Sequence, residues 1–116
     1  MTNKWQNPIE TGDGMTIATD ILIEEGYTST DELVQEWSLM VALTKVEQYQ
    51  AECMYFQQKY QTSLADFEQR LHAVKGIEDF EKEEDLDDWE FATSSLKWWQ
   101  AKTQDMQNAI NAQNIQ

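Results

Sequence analysis

The stretch LMVALTKVEQYQAECMYFQQKY, residues 39–60, decides how this chain folds. Its apolar side chains recur at alternating spacings of three and four residues, the a/d pattern of a helix that packs lengthwise against another helix. The positions that follow this spacing are Leu39, Ala42, Val46, Tyr49, Cys53, Phe56 and Tyr60. Upstream, Ser29, Thr30 and Asp31 are candidate N-caps, so the sequence predicts one long helix over residues 31–60.

A second series with the same spacing lies in the C-terminal half and predicts the partner helix. Its positions are Trp89, Ala92, Leu96, Trp99, Thr103, Met106 and Ile110. Between the two series, TSLADFEQRLHAVKG has a capping residue at Thr62 or Ser63 and a stop at Gly76, which indicates a short helix. The sequence therefore predicts an all-α fold: a long, coiled-coil-like antiparallel helical hairpin with a short connecting helix over one end and a short N-terminal element.

The N-terminal segment allows two interpretations. We expect residues 1–14 to be loose chain and residues 15–25 to form either a short amphipathic helix or a strand. The predicted organisation is an N-terminal arm over residues 1–28, a hairpin domain over residues 29–111 and a frayed polar tail over residues 112–116. The start of the first long helix is apolar almost all round, so we expect the N-terminal arm or a second subunit to cover it.

Charge and composition disfavour several functional classes. The chain has 22 acidic and 8 basic residues and a formal net charge of -14. Such a charge repels a phosphate backbone, so direct nucleic-acid binding is disfavoured, whereas a basic partner protein is favoured. The longest apolar run, residues 39–43, is far shorter than the roughly 20 residues that cross a bilayer. Because nothing resembles a secretory leader either, we expect a cytoplasmic protein with no membrane segment.

Residues with catalytic or metal-binding chemistry are few. Cys53 is the single cysteine, so no intrachain disulfide can form, and its inward position predicts a packing role rather than a nucleophile. His72 is the single histidine, and Glu68 four residues before it supplies only one further ligand, too few for a metal site. The sequence lacks the common phosphate-loop, dinucleotide, zinc-protease and serine-hydrolase motifs. We therefore expect no enzymatic activity, no cofactor and no metal.

A run of nine carboxylates in residues 78–90 begins the second long helix. The helix macrodipole accounts for three or four acids there, but nine with the single intervening Lys82 favour a lysine- and arginine-rich protein surface as the source of cations. Calcium is disfavoured because the EF-hand pattern is missing. Beside the run, Phe91 and Trp98 lie a heptad apart on a flank about 100° from the packing face. The predicted partner-binding residues are Glu81, Glu83, Glu84, Asp85, Asp87, Asp88, Glu90, Phe91 and Trp98.

That flank has two interpretations. The short helix could cover Phe91 and Trp98, or the two rings could form the apolar centre of a binding patch with a charged rim. In the second case the acidic residues would speed the encounter with a partner and the aromatic rings would hold the complex.

The stretch GYTSTDELVQEW, residues 26–37, resembles the turn and helix entry of many prokaryotic antitoxins, in which a glycine, a capping Ser or Thr and an E-L-V-x-E helix follow one another. EQYQAECMYFQQKYQTSLADFEQRL and EDFEKEEDLDDWEFATSSLKWWQ are similar to small acidic helical antitoxins, so the resemblance covers roughly residues 26–100. It implies a non-enzymatic protein that neutralises a basic, ribonuclease-like toxin. Antitoxins of this kind often carry an N-terminal DNA-binding element as well. Residues 4–14 of this chain depart from that pattern, because they contain one lysine and no arginine.

Two functional hypotheses follow. In the first, the chain is an antitoxin-like inhibitor that masks a basic partner through its acidic run, Phe91 and Trp98. In the second, the chain is a self-associating helical scaffold, and the same aromatics and the apolar helix start form a homodimer core. The two hypotheses differ in stoichiometry and in the accessibility of Trp98, which a homodimer buries and a free inhibitor exposes.

Overall fold

The computed structural model describes residues 8–74 and 79–114, with the side chains of residues 14–74 and 79–113. Most of them form four α-helices: α1 (Pro8–Glu24), α2 (Thr30–Tyr60), α3 (Leu64–Ala73) and α4 (Phe80–Asn114). These ranges contain no β-strand, so the predicted all-α class is confirmed and residues 15–24 are helix rather than strand. The chain divides into two compact units between Ser38 and Leu39, within the continuous helix α2.

Helix α1 begins earlier than predicted, because residues 8–14 are helical rather than loose chain. Pro8 is its first residue, a position where the fixed φ of proline suits the helix and the missing N–H costs no hydrogen bond. The helix ends in a Schellman motif: the N–H of Tyr27 donates to the carbonyl of Leu22 at 2.9 Å and that of Gly26 to Ile23 at 3.0 Å. Gly26 has a φ of 89°, which a residue with a Cβ rarely adopts.

Of the three candidate N-caps of α2, Ser29 is the one used. Its Oγ accepts a hydrogen bond from the backbone N–H of Glu32 at 3.1 Å. The Glu32 carboxylate in turn accepts hydrogen bonds from the backbone N–H of Thr28, at 3.2 Å, and from its hydroxyl. This arrangement is a variant of the capping box, and the hydrogen bonds from Thr28 hold the pKa of Glu32 below its ordinary value. The residue after α2, Gln61, has a φ of 52° and ends the helix.

Helices α2 and α4 pack against each other as an antiparallel hairpin. Contacts between them pair rising numbers on α2 with falling numbers on α4, as in Cys53 with Thr93, Phe56 with Trp89 and Tyr60 with Asp85. All seven predicted packing positions of α2 and all seven of α4 are buried or half-buried. The two spacing patterns therefore identified the faces along which the helices meet.

The centre of the core lies where α3 joins the hairpin. Ser63 caps α3, since its Oγ accepts from the backbone N–H of Asp66 at 3.2 Å, and α3 then places Phe67 against Tyr60 and Trp89. Trp89 is 1% exposed and has ring centroids of Phe56, Phe67 and Tyr60 within 6.4 Å. Helix α3 ends at Ala73, and the predicted stop at Gly76 lies outside the described residues.

Helix α4 has 35 residues and extends beyond its last predicted packing position, Ile110. It continues to Asn114, within the segment that was predicted to be a frayed tail. Asp79 caps its start, because its Oδ1 accepts from the backbone N–H of Lys82 at 3.1 Å. None of the helices in the described ranges combines the length and the apolar character that a membrane crossing requires.

Candidate functional site

The acidic residues that the structure describes in positions 79–90 fall into two groups. Asp79 caps the helix, and Glu81 and Asp85 form ion pairs with Lys59 of α2. The others are exposed on the first turns of α4 and have no hydrogen bond or ion pair with any other described side chain: Glu83, Glu84, Asp87, Asp88 and Glu90. Most of the predicted partner-binding carboxylates therefore have no cation beside them among the described residues, while Glu81 and Asp85 pair with Lys59.

Lys59 is the centre of an intramolecular cation site at the end of the hairpin. Its Nζ lies 3.0 Å from Oε1 of Glu81 and 2.6 Å from Oδ2 of Asp85. The same ammonium lies 5.4 Å from the ring centroid of Tyr60 and 6.0 Å from that of Tyr55. Carboxylates and aromatic faces together therefore hold this cation, and the hydrogen bond to Asp85, followed by that to Glu81, raises the pKa of Lys59.

Asp85 couples this cation to the core, because it also accepts a hydrogen bond from the hydroxyl of Tyr60. Its side chain is only 15% exposed. Burial opposes ionisation, but the hydrogen bonds from Lys59 and Tyr60 outweigh it, so the pKa of Asp85 is lowered. Burial and then the hydrogen bond to Asp85 raise the pKa of Tyr60 to about 12. Sequence reasoning missed this network, although the antiparallel register of the two long helices places Lys59 near the start of α4.

Phe91 and Trp98 remain largely uncovered on the flank of α4. Phe91 is 62% exposed and Trp98 54% exposed, so the short helix α3 does not bury them. The ring of Phe91 meets that of Tyr49 edge-to-face, with centroids 6.0 Å apart. Trp98 packs against Trp99 at 4.8 Å and carries the ammonium of Lys102 at 5.2 Å from its ring. The exposed aromatic flank is therefore adjacent in sequence to the uncompensated carboxylates.

A groove of about 420 Å³ lies between α2 and α4 beside Phe91. The two helices line it with Gln48, Tyr49, Glu52, Tyr55, Phe56, Asp88 and Phe91. Sequence reasoning named only Asp88 and Phe91 of this set. Tyr49 and Phe56 were predicted as packing positions of α2 and not as binding residues. Gln48, Glu52 and Tyr55 were not singled out, because only the register of the hairpin brings them next to α4.

Comparison of the chain with protein-family models, with curated proteins and with solved structures found no match.

Cys53 and His72, the residues considered for catalysis or metal binding, lie on different helices, α2 and α3. Cys53 is half-buried on the packing face of α2, with its Sγ 3.6 Å from Oγ1 of Thr93. His72 is exposed on α3. Among the described side chains, those of residues 14–74 and 79–113, no three from His, Cys, Asp or Glu are grouped so that they could hold a metal ion.

Proposed function

We propose that this protein is a non-enzymatic binding module that masks a basic surface of another protein, as an antitoxin-type inhibitor does. The observation that carries the proposal is the exposure of Phe91 and Trp98 beside carboxylates that have no cation in the described chain. Large aromatic side chains dominate the binding energy of protein interfaces, and charged residues around them set association rate and specificity. The flank of α4 provides exposed aromatic rings and charged side chains within about four helical turns.

The sign and size of the net charge define the partner. A chain with a net charge of -14 attracts a protein rich in lysine and arginine and repels nucleic acid. The resemblance of residues 26–100 to acidic helical antitoxins makes a basic, ribonuclease-like toxin the specific proposal. The proposal places both proteins in the cytoplasm, where a toxin of this kind is neutralised.

The alternative function is self-association. It is favoured by apolar side chains that stay exposed in the first compact unit, among them Val34 and Trp37 on α2 and Ile21 on α1. Trp37 is 58% exposed, a large apolar area for a surface residue. Repulsion between two copies with a charge of -14 each opposes a homodimer, particularly at low salt.

A pull-down from the protein's own cell extract separates the two functions. The tagged chain is washed at moderate salt, and the bound proteins are identified by mass spectrometry. A bait with Asp87→Lys, Asp88→Lys and Glu90→Lys is run in parallel as the matched control. Recovery of a small basic protein at one-to-one ratio by the unaltered bait, and its loss with the charge-reversed bait, supports the inhibitor. Recovery of the bait alone, with light scattering that gives a tight dimer, overturns it in favour of the scaffold.

A further inference from the structure

The groove between α2 and α4 combines aromatic walls with carboxylates. Phe56 is buried at its base, while Tyr55 and Phe91 are exposed and Tyr49 is half-buried around it. Glu52 from α2 and Asp88 from α4 are exposed and have no ion pair within the described residues. A positive charge placed among these groups is stabilised by cation–π attraction to the faces of the rings and by charge-assisted hydrogen bonds to the carboxylates.

The chain uses the same combination for one of its own cations. At Lys59, two carboxylates and two tyrosine rings surround one ammonium group. The groove offers a similar set, Glu52 and Asp88 with Tyr49, Phe91 and Tyr55, the last of which it shares with the Lys59 site. None of the described residues that line the groove is basic. This charge complementarity identifies the kind of group that fits: a basic side chain from outside the chain.

We propose that the groove binds one arginine side chain of the partner protein, an inference that rests on the masking function proposed above. Arginine fits better than lysine because its planar guanidinium stacks on aromatic faces and donates several N–H bonds in one plane. Phe91, which is 62% exposed and meets Tyr49 edge-to-face, takes the face of the guanidinium, and Glu52 and Asp88 accept its hydrogen bonds. The volume of about 420 Å³ lies within the range of about 300–1,000 Å³ that is typical of small-molecule sites, which are lined mainly by apolar and aromatic side chains with a few polar groups.

The groove is tested without any partner by NMR. The full ¹⁵N-labelled chain is titrated with Nα-acetyl-arginine amide and, as a neutral molecule of nearly the same shape, with Nα-acetyl-citrulline amide. We expect saturable shifts of backbone amides at residues 48–56 and 88–91 with arginine, and binding weaker by about fivefold or more with citrulline. Equal binding of the two compounds, or arginine shifts spread evenly over the acidic turns of α4, overturns the proposal.

Paired variants check the carboxylates. Glu52→Gln with Asp88→Asn removes two charges from the groove, and Glu24→Gln with Glu25→Gln removes two charges from residues that do not line it. All four residues are exposed, so both proteins are expected to keep the melting temperature of the unaltered chain. We expect the groove pair to weaken arginine binding by about fivefold or more and the control pair by less than about twofold. Equal weakening by the two pairs contradicts a site in the groove.

The outcome separates this inference from the masking function. Failure of arginine to bind the groove, with a basic protein still recovered in the pull-down, removes the arginine site and leaves the masking function. Saturable arginine binding with only the bait recovered leaves the site in place and removes the inhibitor.

Discussion

Trp89 is the residue on which the three packed helices depend, because its ring contacts the aromatic rings that α2 and α3 contribute. Replacing it with alanine opens a cavity that the neighbouring rings cannot fill. We expect Trp89→Ala to lower the free energy of unfolding by about 3–5 kcal/mol. Trp98→Ala, which removes the same side chain from a position that is 54% exposed, should cost much less, about 1 kcal/mol for its contact with Trp99. Urea unfolding followed by circular dichroism measures both, and similar losses would contradict the burial described above.

Gln61 has a strained backbone conformation, because a residue with a Cβ rarely adopts a positive φ. It has a left-handed φ of 52° at the end of α2, and its Nε2 donates to the carbonyl of Gln58 at 2.7 Å. Glycine adopts that conformation without steric cost, so we expect Gln61→Gly to stabilise the fold by up to about 1 kcal/mol despite the lost hydrogen bond. The same change at Gln50, exposed inside α2, should destabilise by about 1 kcal/mol. Opposite signs of the two shifts in thermal midpoint are the expected result.

At the scale of the elements, two serines determine where helices begin. Ser29 and Ser63 each accept a hydrogen bond from a backbone N–H in the first turn that follows. We expect Ser29→Ala and Ser63→Ala each to cost about 1 kcal/mol of stability. Ser94 lies exposed in the interior of α4, where alanine is the better helix former, so Ser94→Ala should leave stability unchanged or slightly raised. Chemical denaturation of the three variants tests this, and a comparable loss at Ser94 would rule out capping as the cause.

The spacing of apolar residues predicts some features of these helices and not others. The three- and four-residue spacings identify the packing faces of α2 and α4, because each pattern describes one helix. They do not report which residues of two helices lie side by side, so the pairing of Lys59 with Asp85 and the α2 wall of the groove could not be derived. The early start of α1 was missed for a different reason: intrinsic propensity is weak, and residues 8–14 hold two glycines.

At the scale of the whole molecule, the Lys59–Asp85–Tyr60 network predicts how stability changes with pH. The raised pKa values of Lys59 and of Tyr60, the latter about 12, mean that the folded chain keeps protons that the unfolded chain releases from about pH 10 upward. The corresponding stability is therefore complete below about pH 10 and is lost as the pH rises toward 12. The lowered pKa of Asp85 contributes stability above about pH 4 that is lost as the pH falls further.

Asp85→Asn is the variant that tests this network, because it removes the carboxylate that Lys59 and Tyr60 share, while the ion pair of Lys59 with Glu81 stays. We expect the urea midpoint of the unaltered chain to fall more steeply above pH 10 and below pH 4 than that of Asp85→Asn. The comparison between variants is needed because protonation of many carboxylates also relieves self-repulsion in so acidic a chain. Parallel pH profiles for the two proteins would show that the network does not contribute through these ionisations.

The charge of the molecule and its aromatic flank should act on different steps of binding. Reversal of Asp87, Asp88 and Glu90 to lysine is expected to slow association by roughly tenfold at low salt and to flatten its salt dependence, because long-range attraction acts before contact. Trp98→Ala is expected mainly to speed dissociation, by roughly tenfold or more, since apolar anchors act after contact. Stopped-flow association and dissociation with the recovered partner measure both rates.

The matched control for the separate roles of charge and aromatic anchors is a charge reversal of equal size outside α4. Asp20, Glu24 and Glu25 are exposed in and just after α1, and their change to lysine alters the net charge by the same amount. If attraction is focused at the start of α4, this control should slow association less than the α4 reversal does, because exposed charges are screened within about 10 Å at 0.1 M salt. Equal slowing by the two reversals would mean that only net charge matters. Equal effects of the α4 reversal and of Trp98→Ala on both rates would contradict the separate roles of charge and aromatic anchors.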